Sequence, residues 1–304
     1  MKREDFSWTK FSHENVTTIS RIEAIRKIID QEVGLESCQP GIAEIEKRYD
    51  DLYHDYIDGK LKHRELYNLA QTLDIDTDKF FGKVRHAWIL ANESTFVALR
   101  KRAQNLTSFD EVQETFEKFA TDEAMLNLRV DLSEEQIDEE RQKIQEQLNA
   151  YRNMVFSYIL VTDDWNDDFV KNILDIIASD LVDPYTINMI VSAVSLSCSV
   201  FFDAPRLAVL MRLIKSDDCT CSVRQRALVG FVFCAITNSG EKQKYWDSAA
   251  GLIMDDEFLA ACVDLQRQMR LCLTSKKDSK EMMHSVGNRP SANRLCRYCR
   301  ASVM

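Results

Sequence analysis

The chain has 304 residues, room for two ordinary domains or for one elongated repeat domain with a helical extension. Its 8 Gly and 4 Pro are too few for the tight turns of a sandwich, a barrel or a doubly wound sheet, so the composition predicts an all-α fold. The 39 Lys and Arg stand against 49 Asp and Glu, a net charge of -10 that repels phosphate backbones and anionic membranes and sets nucleic acid aside as a partner.

The N-terminus has neither the apolar core of a signal peptide nor an Arg-rich, acid-poor transit pattern, which predicts retention in the cytoplasm. Nine cysteines, an odd set with several members in apolar helical runs, suit a reducing compartment. The Asn-x-Ser/Thr triplets at Asn15, Asn92 and Asn105 are read as chance, since they matter only after secretion.

Ile22, Ile25, Ile29 and Val33 form one apolar stripe, opened by Ser20 and Glu23 at capping-box spacing. Ile42, Ile45, Tyr49, Leu52 and Tyr56 form a second after Pro40-Gly41. On that second helix Asp51, His54 and Asp55 occupy adjoining surface positions. This is the one cluster whose residue types and spacing suit a zinc or iron site, and with it a helical metal-dependent hydrolase. No HExxH or Glu-x-x-His pair accompanies it, which favours a solvated polar face and an expectation of no cofactor.

Further helices are expected over residues 63–73, 78–103 and 109–119, the last opened by Ser108 and Glu111. A long helix then runs from Ser133 to about Val161, capped by Ser133 with Gln136 and carrying Glu134 and Glu135 at its positive end. Its stripe is Ile137, Ile144, Leu148, Tyr151, Val155 and Tyr158, and its outer face is charged; fewer than four heptads argue against a coiled coil.

At about residue 163 the helices become shorter, more apolar and paired. ILDIIASD at 173–180 lines up with LMRLIKSD at 210–217, and the helices that follow begin at Asp183-Pro184 and Ser222-Val223. A third pair is expected over Tyr245–Met254 and Glu257–Thr274. Paired helices at a period near forty residues, with SVRQRALVGFVFCAI placing basic residues early in an apolar second helix, resemble HEAT or armadillo repeats over residues 163–274. The resemblance implies a scaffolding surface and transfers no site.

Pro184 to Phe202 carries no charge, but its serines and the lack of flanking cations favour a buried repeat helix over a membrane span. Residues 282–304 hold four Arg and no acid beyond the acidic body. They read as a disordered basic arm, or as the altered or truncated end of an array that lacks its polar cap. Cys296 and Cys299 have half a zinc knuckle's spacing. No phosphate-binding loop, nucleophile elbow or Cys/His nucleophile signature is present, which leaves most enzyme templates without support.

These observations predict an irregular helical domain over 1–162, a short HEAT-like α-solenoid over 163–275 and a basic tail over 276–304. The function expected is non-catalytic binding of a protein partner. Asn188, Arg224, Gln225 and Arg226 are the polar positions available on the repeat surface. Apolar surface at an uncapped array end favours self-association into a homo-oligomer.

Overall fold

In a computed structural model, which describes residues 11, 14–238 and 249–286, the chain is all-helical, with no strand among the described residues. It divides into two compact units, residues 1–249 and 250–304.

In the first unit, α1 (Thr18–Gln31) buries Ile22, Ile25 and Ile29. Its cap lies one turn earlier than the spacing suggests: the Thr17 hydroxyl accepts from the Ser20 N–H, and the Ser20 hydroxyl accepts from the Thr17 N–H at 3.1 Å. Val33, expected on the stripe, lies beyond the helix end and is exposed. Gly34 then turns the chain at φ +87°, and a Cβ there would come within 2.5 Å of the Ala91 Cβ, so both backbone and space require glycine.

Next come α2 (Gln39–Ile57), α3 (His63–Asn92) and α4 (Ser94–Ala103). The break expected between residues 73 and 78 is absent. Asp74 and Asp78 pair with Arg21 of α1, Asp76 pairs with Arg48 of α2 at 2.9 Å, and the Thr77 hydroxyl bonds back to the Leu73 carbonyl. These partners hold helix through a stretch of weak formers, and the real break falls at Glu93.

Two layers of helices follow. α5 (Val112–Leu126), α7 (Asp167–Ala178) and α9 (Ala204–Lys215) pack in succession along one layer, and α6 (Glu134–Val161), α8 (Pro184–Val200) and α10 (Cys221–Thr237) along the other. Ser133 and Gln136 cap α6 reciprocally, as their spacing predicts. Ser108 does not cap α5; its hydroxyl accepts from the Asp110 N–H. The boundaries of α7 and α8 recur in α9 and α10 at a constant interval. Asp167 and Ala204, Ala178 and Lys215, Pro184 and Cys221, and Val200 and Thr237 are matching boundaries, each pair 37 residues apart. The N-caps Asn166 and Asp203, and Asp183 and Thr220, keep the same interval. Thr220, not Ser222, caps α10.

Residue 162 does not interrupt the packing of this unit. Leu160 and Val161 from the end of α6, and Phe201 from the end of α8, complete a core otherwise built of Ile25, Ile42, Phe81, Ile89 and their neighbours. α4 lies along α6, and Phe201 packs edge-on to Phe96 at 5.5 Å.

The second unit contains α11 (Ala250–Ile253) and α12 (Asp256–Val286). The Asp255 carboxylate accepts from the Glu257 and Phe258 N–H groups at the head of α12. The helix runs to Val286, past the expected start of a tail at 276. The first helix of the expected third pair begins outside the described residues, as do Cys296 and Cys299.

Candidate functional site

Two of the four polar positions singled out in the sequence, Asn188 and Arg226, lie at the seam between α8 and α10. In the apolar run of α8, Ser192, Ser195 and Ser199 recur at steps of three and four and so form one stripe. Each hydroxyl bonds the carbonyl four residues back, that of Asn188, Val191 and Ser195 respectively. The serines thereby satisfy their own donors and present a narrow, low ridge.

α10 lies directly on that ridge. The Ser222 hydroxyl donates to Asn188 at 3.0 Å and Arg226 Nη1 donates to the Ser192 hydroxyl at 2.8 Å. Farther along, a Cβ on Gly230 would overlap the Ser195 side chain, the Ser199 hydroxyl meets the Cys234 thiol at 3.3 Å, and Asn238 donates to the Ser199 carbonyl at 3.3 Å. This close approach lets the side chains flanking the seam stand proud of it. The result is a cleft of about 490 Å³ with Ser192, Ser195 and Ser199 on one side, Val229 and Gly230 on the other, and Arg226 at one end. Leu196 and Phe233, large apolar side chains that line it, are 50% and 45% exposed.

Buried arginines hold the layers beneath. Arg206, 2% exposed, donates through Nε to the Ser197 hydroxyl at 2.8 Å and through Nη2 to the Thr162 carbonyl at 2.7 Å, pairs with its own cap residue Asp203, and lies over the Trp165 ring at 4.7 Å. Burial raises the Asp203 carboxyl above its ordinary range and lowers the Arg206 guanidinium. Arg152 of α6 makes the corresponding clamp on α8, reaching Thr186 at 2.7 Å and Asp183 at 2.8 Å. Burial acts to raise the Asp183 carboxyl, but the Thr186 and Arg152 hydrogen bonds outweigh it and hold that carboxyl low. Cys198 and Cys234 face one another across the seam. Their mutual hydrogen bond lifts the Cys198 thiol well above its ordinary value and lowers that of Cys234.

No protein-family model, curated protein or solved structure matches the chain.

Of the four polar residues singled out in the sequence, Asn188 and Arg226 each bond across the α8–α10 seam, to Ser222 and Ser192 respectively, and Arg226 alone lines the cleft. Arg224 and Gln225 are exposed elsewhere on α10. Residues two apart on a helix point to opposed sides, so Arg224 and Arg226 do not share a surface. Asp51 and His54 are exposed on α2, and Asp55 pairs with Lys60 at 3.1 Å. Among the described residues no group of three or more His, Cys, Asp or Glu could hold a metal ion, so the α2 trio does not assemble as a ligand set. Among those residues, too, no helix is long and apolar enough to cross a membrane; the charge-free stretch from Pro184 is α8, enclosed by α6 and α10. Leu196, Phe233 and the serine stripe escaped sequence reasoning, although the three-and-four serine spacing was there to be read.

Proposed function

We propose that the chain is a non-catalytic protein-binding module, a helical domain continued by a short HEAT-like stack, and that it takes its partner in the cleft between α8 and α10. The carrying observation is the juxtaposition of half-exposed Leu196 and Phe233 with Arg226, beside a floor of self-satisfied hydroxyls. The constant interval of 37 residues from α7 and α8 to α9 and α10 supports the repeat reading.

An apolar cleft closed at one end by a guanidinium suits a partner helix that presents an aliphatic or aromatic anchor flanked by a carboxylate. Only one Arg226 nitrogen is spent on Ser192, so the group keeps donors for that carboxylate. The chain's net charge of -10 makes this local positive site a discriminating feature, because it opposes the surrounding field.

The test isolates the partner by affinity capture on the full chain and then titrates the purified partner against variants. Phe233→Gln and Arg226→Glu are each expected to weaken binding by about tenfold or more, while Arg224→Glu, on another side of α10, leaves it unchanged. Equal affinity across all three variants, or loss only with Arg224→Glu, overturns the reading.

A further inference from the structure

A second cleft, lined by a different set of residues, lies where α3, α4 and the end of α6 meet, and its volume is about 380 Å³, within the range of small-molecule sites. His86 of α3 lines it and is 8% exposed. One imidazole nitrogen is hydrogen-bonded to the Val161 backbone, while Nε2 is buried without a partner. Burial, with Arg206 nearby, pushes the imidazole pKa down to about 4, so the ring is neutral at neutral pH. A neutral ring that donates through Nδ1 to the Val161 carbonyl leaves a lone pair on Nε2, which only a hydrogen-bond donor can satisfy.

Two opposite charges border the same cleft. Arg100, in the last turn of α4, and Asp163, just past the end of α6, both line it, and both act electrostatically on His86. No ion pair joins them. α6 ends at Val161, two residues before Asp163, and its C-terminus adds partial negative charge on that side of the cleft. The rest of the lining mixes apolar Ala87, Leu90, Ala103 and Leu106 with polar Ser37, Gln104, Tyr158 and Thr162.

We propose that this cleft binds a small zwitterion of the amino-acid class, its carboxylate on Arg100, its ammonium on Asp163 and its side chain against Leu90 and Leu106. A simple anion meets Asp163 and the end of α6, a simple cation meets Arg100, and neither supplies both the donor and the acceptor that the lining calls for. The site is independent of the repeat-surface reading, and either can fail alone.

The experiment uses the full chain. Free L-amino acids are screened singly by ligand-observed NMR, and the best binder is titrated calorimetrically beside its decarboxylated amine and its deaminated acid; for leucine these are 3-methylbutylamine and 4-methylpentanoate. At least one zwitterion is expected to bind, with both single-charge analogues weaker by about tenfold or more. Arg100→Gln and Asp163→Asn, both at exposed positions, are expected to produce similar losses, and Arg102→Gln on the same helix none. Absence of binding by every amino acid, equal binding by the amine or the acid alone, or full affinity in both cleft variants overturns the proposal.

Discussion

His86 is a base that folding keeps uncharged. The end of α8 covers it with Phe201, at 4.2 Å between ring centroids, and the charges acting on it are Arg206, Asp163 and Arg100. Its folded pKa of about 4 lies below the ordinary value of 6.5, so between these values the unfolded chain binds a proton that the folded chain refuses. Stability from this residue is therefore present above pH 6.5 and is lost as pH falls towards 4. Acidification from pH 7 to pH 5 should cost about 2 kcal/mol, measured by urea unfolding at each pH. The lowered Asp183 carboxyl acts in a separate window, because its ordinary value is already 3.8. In His86→Gln the slope between pH 7 and 5 should flatten; an unchanged slope assigns the effect to another group.

At the scale of elements, the fit of α8 to α10 turns on one missing methyl group. Alanine is the better helix former by about 1 kcal/mol, yet a Cβ at Gly230 overlaps the Ser195 side chain. Overpacking of this kind costs about 1–3 kcal/mol, so Gly230→Ala should destabilise the chain and Ser195→Gly in the same background should restore much of the loss. A double-mutant cycle by chemical denaturation measures the coupling, and additive effects would mean that the helices are free to separate. The same pair of helices marks how far the sequence could be read. Asp183 and Pro184 announced α8 because an N-cap and a proline at the first helical position are local signals, and Ser133 announced α6 in the same way. The start of α10 was misplaced by two residues because Ser222 and Thr220 both suit a cap, and the exact period of 37 emerges only when Thr220 is chosen. The continuity of α3 was hidden because Arg21 and Arg48, which hold its acidic middle, come from other helices. The cleft residues were hidden for a related reason: Leu196 and Phe233 are ordinary core types, and only the close approach at Gly230 decides that they stand exposed.

Within residues 1–249, Phe201 at the end of α8 joins the core built by the helices before residue 162. Its ring, 7% exposed, touches His86 of α3 and Phe96 of α4 while it also lies 5.7 Å from the Arg206 guanidinium of α9. Truncating a buried phenylalanine costs about 3–5 kcal/mol, and the question is where that loss appears. If the paired helices were an independent domain, Phe201→Ala would lower the protection of α9 and α10 and leave α3 as slow to exchange as before. A shared core predicts instead that the amides of α3 and of α9 lose protection together and by similar amounts, since both report the same global opening. Native-state hydrogen exchange on the full chain distinguishes these outcomes. Joint loss would also give the two proposed clefts a physical connection: α8 carries the serine floor of one and ends in the aromatic ring that covers His86 at the other, so a ligand that stiffened either end of α8 would be felt along one rigid element.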